Sequence, residues 1–157
     1  MALGTVAAAR AASSLPVSGG GPAGVLHVAW GSYNIAAAPA AADVIQMCRT
    51  PAGATIVDVT VYGQDIDTGT EALDFDAGYA GNGVDAADPD AWGNFGVVTG
   101  DPVGSSEVGV RLFGGGVLFS GGPKTFTVET LHQLTFVTAA NAGGTGRLTM
   151  VVYYTCP

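Results

Sequence analysis

The stretch that most constrains this chain is Thr55–Gly63 with its two flanking turns. Val57, Val59 and Val61 alternate with Ile56, Asp58, Thr60 and Tyr62. Such period-2 alternation marks a strand with one buried face, because successive side chains point to opposite sides of a sheet. Leu73 and Phe75 alternate with Ala72, Asp74 and Asp76 in the same way. Before this unit lies Pro51-Ala52-Gly53, where proline presets φ for the second turn position and glycine closes the turn with φ > 0. After it comes Asp65-Ile66-Asp67-Thr68-Gly69, whose carboxylates suit a turn by bonding nearby backbone N–H groups. A chain organised around this unit is built from antiparallel strands and tight turns.

The same pattern returns elsewhere. Strands are expected over about 25–33, 43–49, 55–63, 71–76, 106–113, 125–131, 133–138 and 146–155. Val108, Val110 and Leu112 face one way; Phe126 with Val128, Leu134 with Phe136, and Leu148, Met150, Val152 and Tyr154 alternate likewise. With 25 glycines and 8 prolines spread over 157 residues, the expected fold is all-β. About eight strands point to an antiparallel two-sheet sandwich, jelly-roll-like, in one domain over 25–157. Residues 1–24 are Ala-, Gly- and Ser-rich and form the expected flexible N-terminal arm. If that arm orders on a partner, Leu3, Val6, Leu15 and Val17 supply its apolar contacts, beside the single charge of Arg10. Deletion of residues 2–20 is then expected to abolish partner binding and spare the β fold.

Residues 77–104 read as a long connection, which in a compact domain carries function or local structure. Asp88-Pro89-Asp90 within it resembles a helix start, with Asp88 as N-cap and Pro89 at the first helical position. Trp92 and Phe95 either pin this segment to the sandwich or face a neighbouring subunit. Trp30 and Tyr33 read as packing residues, and Cys48 as a small core residue. A Cys48–Cys156 bridge requires the last strand to lie beside Cys48, which the sequence does not decide. No run of 18 or more apolar residues is present, so no membrane-spanning helix is expected. The N-terminus has small residues but no basic start, and Arg10 interrupts its apolar stretch, which argues against a secretory signal.

The formal net charge of −8, with five Lys and Arg, argues against nucleic acid as a partner. His27 and His132 lie far apart, His27 in a strand and His132 in a turn between two expected strands, exposed. No Ser/His/Asp arrangement, zinc spacing or phosphate loop stands out, and an enzyme is not expected. Asp58, Asp65, Asp67, Glu71, Asp74, Asp76, Asp85, Asp88 and Asp90 hold nine of the thirteen carboxylates. Asp65, Asp67 and Glu71 bracket Gly69 with a spacing calcium accepts, but the match to a helix-flanked calcium loop is poor; the plainer reading is turn capping, with no cofactor. Asp74 and Asp76 make a weak candidate for a glycosidase pair, since nothing else shapes a sugar cleft.

Residues 42–76 resemble a family of small tailed-bacteriophage head decoration, or capsid cement, proteins. The matching residues are Asp43, Val44, Ile45 and Met47, then Pro51 to Thr55, Asp58 and Val59, Asp65 to Thr68, and Leu73 with Asp74. The resemblance implies a non-enzymatic virion protein, assembled in the host cytoplasm, that sits on the outer capsid surface. It implies the major capsid protein as partner, a homotrimer as self-association, and bridging of neighbouring capsid subunits. The N-terminal arm and the 77–104 segment carry no part of the match. The alternative is a head-fibre or receptor-binding module for host glycans, with Trp92, Asp88 and Asp90 as its sugar site.

Overall fold

A computed structural model of the chain describes residues 4–8, 11, 24–64, 66, 73–95, 108–111, 121–139 and 145–157. Ten strands lie within these residues. They are β1 (Thr5–Ala7), β2 (Leu26–Ile35), β3 (Val44–Thr50), β4 (Thr55–Gly63) and β5 (Phe75–Tyr79), then β6 (Asp88–Phe95), β7 (Val108–Arg111), β8 (Lys124–Thr125), β9 (Thr130–Phe136) and β10 (Gly146–Thr155). One sheet has the order β1-β3-β9-β5-β6; the other has β2-β10-β4-β7, with β8 also on β4.

The pairings are nested. β2 pairs β10, β3 pairs β9, β4 pairs β7 and β5 pairs β6, all antiparallel. The chain is therefore one long ribbon whose paired strands fall alternately in the two sheets. That is a jelly roll, with the β5–β6 hairpin as the tip of the ribbon. Closing contacts β4–β10 and β5–β9 knit the folded ribbon into two sheets.

Between the sheets lies an apolar core. Ile45, Met47, Phe75, Ala77, Leu134 and Phe136 enter from one side; Ile56, Val59, Val61, Leu148, Met150, Val152 and Tyr154 enter from the other. The alternation of β10 holds along its whole length. That of β4 does not: a bulge opposite Tyr153/Tyr154 puts Ile56, Val59 and Val61 inside and leaves Val57 exposed. An extra residue in one strand shifts the inside–outside pattern by one, which alternation counted on a single strand misses. In the turn before β4, Gly53 has φ +83° and the Ala54 amide bonds the Pro51 carbonyl at 3.2 Å. Proline thus takes the first turn position rather than the second, and glycine takes the position that needs φ > 0.

Four further expectations change. The 77–104 stretch is not one connection: its first part is the β5–β6 hairpin, closed over residues 80–87. Asp88-Pro89 starts strand β6, not a helix. β6 is an edge strand, where a residue without an N–H is tolerated. Gly78 makes room for it, since a Cβ there would sit 2.1 Å from the Asp88 carbonyl oxygen. Strands 125–131 and 133–138 are one strand, β9, with the two-residue β8 ahead of it. His132 is accordingly mid-strand and fully buried, not in an exposed turn. Within the expected arm, Thr5–Ala7 forms a strand parallel to β3. Cys48 and Cys156 are both buried free thiols, so no bridge joins them.

Candidate functional site

The two sheets present different outer faces. On the β3-β9-β5 face, side chains that point away from the core include Gln46, Gln133, Thr135 and Asp76, with Val44 and the exposed Val137 among them. On the β2-β10-β4 face, Leu26, Val28 and Trp30 project from β2, with Leu26 56% and Trp30 43% exposed. Register sets Val28 beside Tyr153, Trp30 beside Val151 and Tyr62 beside Thr149. Leu26, Val28, Trp30, Tyr62, Val151 and Tyr153 therefore share one outer face over three adjacent strands, with Ser32, Asp58, Thr149 and Thr155 among them. Single exposed apolar residues need no explanation, but a contiguous group marks an interaction site.

Local packing explains why the large side chains of β2 point outward. Ala29 and Gly31 are its inward residues, and a Cβ at Gly31 would lie 1.9 Å from the Met47 carbonyl oxygen. β3 passes so close that nothing larger than glycine fits there. Trp30, read as a packing residue, lies instead on the exposed face; Tyr33 does pack against the core.

At the hairpin tip, residues 80–87 are braced. The Asn82 side-chain oxygen accepts the amides of Val84 (3.0 Å) and Asp85 (2.7 Å), and Lys124 Nζ meets Asp85 at 3.2 Å. Hydrogen bonds from Lys124 and then Asn82 hold the Asp85 carboxyl below the usual range. This turn carries Val84, 66% exposed, at its apex.

Trp92 is buried and packs against Tyr79, Phe126 and His132, with ring centroids 5.7, 6.2 and 5.7 Å away. Of its two expected roles it takes the first, pinning the segment to the sandwich. It offers no exposed ring for a sugar to stack on, which removes the centre of the glycan site drawn from Trp92, Asp88 and Asp90. Phe95 closes β6 opposite Phe75. His132 contacts Thr50 Oγ1 through Nε2 at 2.9 Å, and burial pushes its pKa from the ordinary 6.5 to about 3. It is neutral and sealed from solvent, so it is not placed to exchange protons with a substrate.

Val6 packs against the core and Ala8 and Ala11 are buried. Deleting residues 2–20 would thus strip part of the fold and would not test partner binding alone. Leu3, Arg10, Leu15 and Val17 fall outside the described residues, as do Asp65, Asp67 and Glu71. Among the described residues no group of three or more His, Cys, Asp or Glu is arranged to hold a metal ion. Asp74 is tied through its backbone to Val137 and Thr138, and Asp76 sits mid-sheet between Asn94 and Thr135. No helix among the described residues is long and apolar enough to cross a membrane.

The fold is a jelly-roll-like sandwich of two sheets. No family model matches the sequence, and no curated protein does. Solved structures do. The chain is similar to one in the capsid of Ralstonia phage GP4, with TM-score 0.75 and 16% identity over 98% of each chain. It is similar to one in the capsid asymmetric unit of cyanophage Pam1, with TM-score 0.63, 22% identity, and coverage of 94% of this chain and 96% of that one. A third lies in an acid-stable capsid of the Helicobacter pylori bacteriophage KHP30, with TM-score 0.55, 14% identity, and coverage of 85% and 90%. At these identities the likeness is one of fold, and in the first two it spans nearly the whole of this chain.

Proposed function

We propose that this chain is a structural protein of a tailed-phage virion. It decorates the outer capsid surface and bridges neighbouring major capsid subunits as a homotrimer. The observation that carries the reading is the pairing of a fold likeness to chains of phage capsids, nearly end to end in two of them, with a sandwich that exposes Leu26, Val28 and Trp30 along one outer strand. A protein standing on a capsid has one face against protein and one against water. Burying the Leu26–Trp30 face would release apolar surface from water at about 25 cal/mol per Å². Contacts too weak alone add through effective concentration on a repeating lattice. The motif resemblance over residues 42–76 supports the decoration role in particular, and the trimer rests on that resemblance.

The test is sedimentation of the purified protein, alone and then mixed with phage heads lacking it. The reading expects a discrete trimer that saturates the heads at a fixed copy number and raises their resistance to heat. Protein that leaves the heads bare at saturating concentration refutes it.

A further inference from the structure

Residues 4–8 and Ala11 lie on the sandwich as an addition, outside the nested ribbon. β1 runs parallel to β3 and covers its edge through three register pairs, Thr5–Val44, Val6–Ile45 and Ala7–Gln46. The hydrogen bonds that hold it come from residues 43–49. Asp43, 3% exposed, accepts the amides of Gly4 at 2.6 Å and Ala40 at 2.8 Å. The Val44 amide donates to the Gly4 carbonyl at 2.9 Å, the Ala8 amide to the Gln46 carbonyl at 2.6 Å, and Arg49 Nε to the Ala11 carbonyl at 2.9 Å. Ala42, next to the Asp43 latch, holds φ +68°, a strained value for a residue with a Cβ. Its amide is fixed on the Phe136 carbonyl at 2.8 Å. Strain held in place by surrounding hydrogen bonds gathers where a structure clamps something.

Ala11 ends beside Arg49, near the end of β3. Gly24 donates its amide to Cys156, and the Pro51–Ala54 turn that follows β3 lies against Pro157. Both ends of the tether to the rest of the chain are therefore at the same end of the sandwich. Residues 12–23 between them include Pro16, Gly19, Gly20, Gly21 and Pro22. A stretch of this length reaches about 40 Å when extended.

We infer that residues 4–8 are an exchangeable strand whose second acceptor is the β3 edge of another copy of this chain. The same donors and acceptors serve in either seat, so exchange costs no contact and gains a link between copies. The balance is set by effective concentration. The tether favours the chain's own seat when copies are dilute, and a neighbour's seat competes when copies are held side by side. The inference does not rest on the capsid reading; it needs adjacent copies and nothing else.

Ala7 and Gln46 are register partners with side chains that are not buried. Partners on paired strands lie within the span a disulfide accepts, about 4.4–6.8 Å between Cα atoms. The variants A7C and Q46C are made separately, with and without Cys48→Ala and Cys156→Ala, then mixed at about millimolar concentration and oxidised. The double variant A7C/Q46C checks that both positions react. Neither single variant can close this bridge within one chain. Exchange predicts a covalent heterodimer of the A7C and Q46C chains several-fold above the homodimers, with the bridge between positions 7 and 46 seen by peptide mass mapping. A heterodimer yield no higher than the homodimers overturns the inference.

Discussion

Acid should weaken this fold through His132. His132 is buried in β9 against Thr50, Trp92 and Phe126, and its pKa falls from 6.5 to about 3. The unfolded chain protonates this imidazole near pH 6.5, while the folded chain resists until about pH 3. Between those values the unfolded state binds the extra proton, so stability falls as pH falls. At about 1.4 kcal/mol per unit, the loss is roughly 3 kcal/mol by pH 4.5 and on the order of 4–5 kcal/mol near pH 3. Asp85 and Asp88 act elsewhere or oppositely. Asp85, with a lowered pKa, withdraws support only as pH falls below the ordinary carboxylate value of 3.8. Asp88, raised by burial and by Asp90, gains stability on acidification. The assay is urea unfolding of the wild type and His132→Gln at pH 7, 5.5 and 4.5. The glutamine cannot titrate but keeps a donor near Thr50. The wild-type midpoint should drop by about 1–3 M over this range, given a slope of about 1–3 kcal/mol per M. The His132→Gln midpoint should start lower and stay nearly level. Parallel pH dependence in the two proteins would refute the reasoning.

Further expectations follow from packing and backbone. Gly31→Ala forces a methyl against the Met47 carbonyl and should cost about 3 kcal/mol or more in chemical denaturation, or prevent folding. Ala42→Gly relieves a left-handed φ and should stabilise by roughly 1 kcal/mol, read as a higher thermal midpoint. Asp43→Ala removes the acceptor for the Gly4 and Ala40 amides; amide exchange at residues 4–8 should accelerate well before exchange in β10 does. Trp30→Asp should shift stability by less than about 1 kcal/mol, because its side chain is not in the core, yet abolish saturation of phage heads.

The class of fold and several strands were readable in the sequence. Leu148, Met150, Val152 and Tyr154 all point into the core as their spacing demands. Gly53 has the positive φ that its turn requires. What local pattern could not show was anything fixed by a distant partner. Asp88-Pro89-Asp90 has the chemistry of a helix cap, and it becomes a strand because β5 offers it an edge and Gly78 a gap. His132 and Thr130 break the apolar alternation of β9, so the strand read as two with a turn between. Both are buried, and His132 is paired with Thr50 from β3. The exposed side chains of β2 were hidden for a related reason. β2 has apolar residues on both sides, and the closeness of β3 at Gly31, invisible in sequence, leaves Val28 and Trp30 on the outer side while Tyr33 and Ile35 turn inward.

The most direct measurement is a cryo-electron microscopy map of decorated heads, with this chain fitted as a rigid sandwich. The account predicts jelly-roll density outside the shell, in three copies around each site, with Leu26, Val28, Trp30 and Tyr153 against protein and Gln46, Gln133 and Asp76 facing solvent. A map in which the Leu26–Trp30 face is open to water, or in which this chain is absent from the capsid exterior, would contradict it.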